Sequence, residues 1–199
     1  MSIDTSNHLK YEELEKNLIL RRLLRGLYGQ VGAQLAAFGP GRVLDAGCGE
    51  GHALNYLEFP GSYLGIDMNP DCIAWCRLHH AGHHFEVGTV TSLGLGDRSF
   101  DVAICLEVLE HLERPLEALS ELVRVADKGV LLSVPFEPVF RLGNLLRGKY
   151  RENWGNHPEH VQHWGYRGFR RFLEESGLLR DLVLSVAGPW LVASGRPIR

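Results

Sequence analysis

The sequence predicts an α/β fold: a mostly parallel sheet with an antiparallel C-terminal hairpin and helices on both faces. Three observations carry this. Short apolar, β-rich runs alternate with helix-period segments along the chain, the order expected of a doubly wound sheet. One run, Phe100-Asp101-Val102-Ala103-Ile104-Cys105, is nearly continuous in apolar character, as a parallel strand buried on both faces should be. Glycines at 47, 49 and 51 follow the first run directly, where the chain must turn sharply out of a strand.

The elements follow in order. Leu9 to Phe38 reads as one or two helices, broken around Gly26–Gly32 and closed by Gly39-Pro40. Arg42 to Asp45 is strand one, and Gly51 to Leu57 begins a crossover helix. Tyr63 to Ile66 is strand two, followed by a helix from Pro70 to His80. Phe85 to Val87 is strand three and the Phe100 run is strand four. Arg114 to Val125 is a helix with Pro115 in its first turn, where a missing N–H costs nothing. Val130 to Val134 is strand five, and Gly165 to Ser176 is a helix ended by Gly177. Leu182 to Ala187 and Trp190 to Ser194, joined by Gly188-Pro189, form the hairpin.

Composition bounds the reading. At 199 residues and 45% hydrophobic content, the chain can bury a full core as one domain. Within it we expect an N-terminal helical cap (1–40), a ligand-binding core (41–134), a substrate-side insertion (135–164) and a C-terminal helix and hairpin (165–199). No run approaches the roughly 20 apolar residues of a membrane span, and no signal-peptide core is evident. Cys48, Cys72, Cys76 and Cys105 lack a paired zinc spacing, so a reducing, cytoplasmic setting is the simplest expectation. A net charge of −3 disfavours a nucleic-acid partner.

The chemistry begins at Val43-Leu44-Asp45-Ala46-Gly47-Cys48-Gly49-Glu50-Gly51, with Tyr63-Leu64-Gly65-Ile66-Asp67 beyond it. A strand, a glycine turn and a second strand ending in an acid make a nucleotide-sized cradle. Asp67 stands where a carboxylate at a strand tip can accept both hydroxyls of a ribose. Dinucleotide sites carry G-x-G-x-x-G, whereas the third glycine here comes one residue early. Asp45 would also repel a pyrophosphate and attract the ammonium of a methionine-like group.

On these motifs the chain resembles the class I S-adenosylmethionine-dependent methyltransferases, in particular their type 11 small-molecule branch. The match runs through Val43–Gly51 and Gly65-Ile66-Asp67 and covers about Gly41 to Val134. The resemblance implies a Rossmann-like, seven-stranded sheet with S-adenosylmethionine across the carboxyl ends of strands one to four. It places Asp45, Gly47, Cys48, Gly49 and Gly51 around the methionine portion, Asp67 on the ribose and Met68 against the adenine. Leu106 completes the cofactor-binding set. Where the family usually has an acid after strand three, this chain has Gly88-Thr89-Val90, leaving Thr89 or backbone to meet the adenine amino group.

Glu107-Val108-Leu109-Glu110-His111 follows strand four, and Asn156-His157-Pro158-Glu159-His160-Val161-Gln162-His163-Trp164 precedes the last helix. Carboxylates and imidazoles in this number can hold a hard or borderline divalent cation with positions open for a diol. The pattern resembles metal-dependent small-RNA 2′-O-methyltransferases and, in part, ubiquinone-pathway O-methyltransferases. That match makes Glu107, Glu110, His111 and His160 candidate metal ligands, and Glu107, His111 and His160 candidate catalytic residues. Two alternatives stay open: a metal-free general base at His111, His157 or His160, or a polar loop closing the pocket.

Phe136 to Arg151 has the composition of a substrate lid, with Phe136, Val139, Phe140, Leu142, Leu145 and Leu146 able to form one apolar face. Arg141, Arg147, Lys149 and Arg151 would form its rim, as Arg21, Arg22 and Arg25 do on the N-terminal helix. Such stripes either cover the core or meet an amphiphilic, anionic acceptor or a membrane surface peripherally. The expected activity is methyl transfer to a small-molecule acceptor, most simply at a hydroxyl oxygen. An RNA 2′-O-methyltransferase and a catalytically silent adenosylmethionine binder are the alternatives.

Overall fold

A computed structural model describes residues 17–140 and 160–199. The N-terminal helix α1 (Leu18–Ala36) is capped by Asn17, whose side chain accepts from the backbone N–H groups of Ile19 and Leu20. It runs unbroken through Gly26, Gly29 and Gly32, where the sequence suggested an interruption. Each helical glycine costs about 1 kcal/mol relative to alanine. Burial of Leu27, Tyr28, Val31 and Leu35 against the sheet outweighs that cost.

The strands are β1 (Arg42–Ala46), β2 (Ser62–Asp67), β3 (His84–Val87), β4 (Phe100–Leu106), β5 (Ala126–Pro135), β6 (Leu179–Ala187) and β7 (Trp190–Pro197). Between them lie α2 (Pro70–His79), α3 (Pro115–Val125) and α4 (Tyr166–Glu175). The expected crossover helix after Gly51 is only a 3₁₀ turn, His52–Asn55. Pro60 disfavours helix at the residue before it, and Gly61 abuts the Gly41 carbonyl, so the chain must already be extended there.

The seven strands form one sheet in the order β3-β2-β1-β4-β5-β7-β6. The first five are parallel, and β7 inserts antiparallel between β5 and β6. Strand alternation assigns the two faces. Leu44 and Ala46 point toward α3 and α4, packing with Leu119, Leu122, Phe169 and Leu173. Val43, Val102, Ile104 and Leu131 face the other way, under Leu27, Val31 and Leu35 of α1. A smaller cluster of Cys48, Tyr63, Ile73, Cys76 and Phe85 seats α2.

Because β1 pairs with β2 on one side and β4 on the other, the strand order reverses at β1 and the loops leaving its carboxyl end diverge. This opens a crevice above Asp45, Asp67 and Leu106. Among the described residues, no helix is long and apolar enough to cross a membrane.

Leu122 is fully buried at the centre of the larger core. Leu122→Ala is expected to lower unfolding free energy by about 2–5 kcal/mol, read from the midpoint of urea denaturation.

Candidate functional site

The crevice is built from backbone first. After β1 the amides of Gly47 and Cys48 both donate to the Ile66 carbonyl, at 2.7 and 3.0 Å. Gly47, Gly49 and Gly51 all have positive φ, between +52° and +83°. A Cβ on Gly47 would run into Val108, while nothing lies within 4 Å of the corresponding point on Gly49. The loop is therefore tight against the protein at one glycine and open at the next, as a cradle for a ligand must be.

Asp67 ends β2 and clamps this loop. Its two carboxylate oxygens accept the amides of Gly49 and Asn69, each at 2.8 Å. Each oxygen keeps lone-pair capacity for a vicinal diol. Met68 beside it is 68% exposed. Thr89 sits in the turn after β3, exposed, with its hydroxyl 3.0 Å from that of Thr91. Leu106 closes β4, half-buried against the α1-side core. Gly49 and Asp67 are thus joined at the carboxyl edge of the sheet, with Thr89 just past β3 and Leu106 at the end of β4, whereas Gly51 faces α2, where a Cβ would meet His80 and Cys76.

Asp45 lies beneath the loop rather than in open space. It is buried, and the Tyr63 hydroxyl donates to it at 2.7 Å. Burial raises its pKa from 3.8 to about 7, against the lowering effect of the Tyr63 hydrogen bond. Cys48 and Cys76 pack in the same layer, and both thiols approach the Gly49 carbonyl, at 3.7 and 3.2 Å. Tyr28 reaches in from α1, stacked on Tyr56 with ring centroids 4.7 Å apart. Its hydroxyl pKa is pushed up by burial and then by the charges of Asp45 and Glu107.

A second group stands beyond β4. Glu107 adopts φ +59°, unusual for a side-chain-bearing residue and the kind of strain found at functional sites. Its carboxylate accepts from the Ser133 hydroxyl at 2.7 Å and from the Trp190 side chain. Burial raises its pKa to about 7 against those hydrogen bonds. Glu110, on the 3₁₀ turn Leu109–His111, is buried, and burial followed by the Glu107 charge pushes its pKa well up.

The histidine loop is stitched onto this turn. Val161 and Gln162 donate their amides to the Glu110 carbonyl at 2.8 and 2.9 Å. The Gln162 side chain adds a bond to the Leu112 carbonyl. Donor atoms of Glu110, His111 and His160 thereby come within 4.8 Å of one another. Glu107 is not in that group, being turned toward Ser133. His157 and most of the lid stretch, from Arg141 to Arg151, lie outside the described residues.

Sequence reasoning missed Tyr63, Ser133, Trp190 and, most importantly, Glu137. The Glu137 carboxylate lies 3.0 Å from His160 Nδ1 and 3.3 Å from His163 Nδ1. The available signal was a lone acid in the apolar run Val134-Pro135-Phe136-Glu137-Pro138-Val139-Phe140.

Comparisons with known proteins bear on the family and the fold. Residues 44–134 match the family model described as a methyltransferase domain. The fatty-acid O-methyltransferase of Mycolicibacterium smegmatis is 36% identical over 115 residues, covering 55% of this chain and 42% of that protein. The ubiquinone biosynthesis O-methyltransferase of Hahella chejuensis is 35% identical over 94 residues, covering 44% and 40%. The match to this chain thus spans about two fifths of the length of these curated relatives. The structure of magnesium protoporphyrin IX methyltransferase from Synechocystis PCC 6803 with bound SAH superposes with a TM-score of 0.65 at 22% identity. That superposition covers 90% of this chain and 88% of the other, which shows a shared fold.

The raised Asp45 pKa has a consequence for stability. The folded protein holds this proton up to about pH 7, whereas an unfolded chain releases it near pH 4. Folding therefore takes up protons in that window, and stability falls as pH rises through it, levelling off above about 7. Asp45→Asn should flatten this dependence, measured by urea unfolding midpoints at pH 5 and pH 8.

Proposed function

With residues 44–134 forming a class I S-adenosylmethionine-dependent methyltransferase domain, we propose that this chain transfers a methyl group to an oxygen of a small, lipid-like acceptor. The observation that carries the donor half is the Asp67 carboxylate clamped across the glycine loop. Bound in that crevice, S-adenosylmethionine supplies an electrophilic methyl group on a positively charged sulfur. The chain's own part is to hold and exclude. Asp67 accepts the ribose hydroxyls, the open side of Gly49 admits the methionine portion, and Met68 covers the adenine.

Glu107, Glu110, His111 and His160 face the acceptor half. Glu107 and Glu110 both have raised pKa values and so retain protons or seek positive charge near neutrality. That Glu107 stands at about 7 suits it to take a proton from an acceptor hydroxyl. Relatives named as acting on a fatty acid and in ubiquinone biosynthesis support an oxygen acceptor on an apolar body.

A cation-assisted version has its own supporting observation. Glu110 Oε2 is buried and has no hydrogen-bond partner among the described residues, with donor atoms of His111 and His160 beside it. Glu110, His111 and His160 would hold a divalent cation there, which would lower the pKa of a bound hydroxyl.

Isothermal titration calorimetry with S-adenosylmethionine tests the donor half, and absence of binding overturns it. Asp67→Asn should weaken that binding roughly 100-fold. This follows from about 3 kcal/mol for charge-assisted ribose hydrogen bonds at 1.4 kcal/mol per tenfold. Transfer of labelled methyl to fatty acids and catechols, compared in parallel, tests the acceptor half.

A further inference from the structure

We propose that Glu137 is the positioning residue of the acceptor site, fixing His160 as the tautomer protonated on Nδ1 and donating electrons from Nε2. The inference rests on the proposed function only for the purpose that this histidine serves. Its geometric basis is independent.

Glu137 is 4% exposed and lies just beyond β5, where its amide donates to the Trp164 carbonyl at 3.2 Å. That bond ties the residue to the far end of the histidine loop. From this anchored position its Oε1 lies 3.0 Å from His160 Nδ1, and the His160 side chain is itself only 5% exposed. His163 Nδ1 approaches the same oxygen at 3.3 Å from a more exposed position.

An ionised carboxylate has no proton to give, so the hydrogen in the Glu137–His160 contact must belong to Nδ1. A neutral imidazole protonated at Nδ1 carries its lone pair on Nε2. A donor nitrogen of His160 lies within 4.8 Å of donor atoms on Glu110 and His111, and the His111 and His160 rings meet edge-on at 5.1 Å. Either chemistry at the site needs a histidine held in one tautomer and one orientation. A base must present a lone pair to the acceptor proton, and a cation ligand must present one to the metal. Phe140, with its ring centroid 5.4 Å from that of His160, restricts the same ring from another side.

The test uses the full chain in three forms: wild type, Glu137→Ala and Glu137→Gln. Long-range proton–nitrogen spectra of the histidine side chains should show His160 protonated on Nδ1 in the wild type. Glu137→Ala should move it toward the Nε2-protonated form that isolated imidazoles prefer. Glu137→Gln should retain the wild-type pattern, because its amide oxygen still accepts. An Nε2-protonated His160 in the wild type, or an Ala variant with an unchanged spectrum, overturns the proposal.

Mn²⁺ affinity by electron paramagnetic resonance gives a second readout, expected to fall roughly 10–100-fold in Glu137→Ala and to recover in Glu137→Gln. Equal affinity in the wild type and the Ala variant overturns the proposal. A wild type that binds no Mn²⁺ overturns the cation-assisted version of the function and leaves the tautomer measurement to decide the role of Glu137. S-adenosylmethionine binding should be unchanged across all three proteins, which separates a positioning loss from a folding loss.

Discussion

Asp67 reaches two loops with one side chain, one carboxylate oxygen holding the glycine turn after β1 and the other the start of α2. Parallel strands leave their last backbone groups without neighbours, so the loops at the carboxyl edge need partners from elsewhere. Gly47 and Cys48 find theirs in the Ile66 carbonyl, and Gly49 and Asn69 find theirs in Asp67. The cradle is therefore organised by the protein before a ligand arrives. Binding a nucleoside there need not first order the loop, which is how preorganisation favours affinity.

Beneath and beside this clamp the protein concentrates acids in low-dielectric surroundings. Asp45, Glu110 and Glu137 are buried, and Glu107 is half-buried. The fold manages the resulting cost residue by residue. Tyr63 donates to Asp45, Ser133 and Trp190 to Glu107, and two histidines face Glu137. Glu110 has only His111 Nε2, 3.8 Å from its Oε1, and its Oε2, like that of Glu137, lacks a hydrogen-bond partner among the described residues. An arrangement of this kind favours cationic or proton-donating groups in the crevice. A sulfonium donor and a hydroxyl acceptor both meet that description.

The glycine loop and the acid that clamps it were legible in the sequence because their constraints are local. Positive φ demands glycine at 47, 49 and 51, and a strand-end acid at 67 follows from the length of one β-turn-β unit. The acceptor half depends on contacts that spacing does not encode. Glu107 and Glu110 were both expected among the ligands of one cation, but Glu107, at positive φ, is turned toward Ser133 of the neighbouring strand. Glu137 has no motif, and its histidine partner lies 23 residues away across the lid stretch. The continuous α1 differed from expectation because tertiary packing overrides its glycine signals, and the 3₁₀ turn after Gly51 because Pro60 and the close approach of Gly61 to Gly41 leave no room for a longer helix.

The placement of β7 between β5 and β6 bears on how the molecule is made. Trp190, which supports Glu107, stands at the start of β7, and Pro135 pairs with it in register. A ribosome must therefore deliver the chain through β6 to the start of β7 before Glu107 acquires its second donor. Until then β5 offers an unpaired edge of Val130, Leu131 and Leu132, which a nascent chain has to keep from other strands. The surroundings of Glu107 are thus among the last parts of the molecule to be completed, well after the glycine loop and Asp67 have all of their partners in hand.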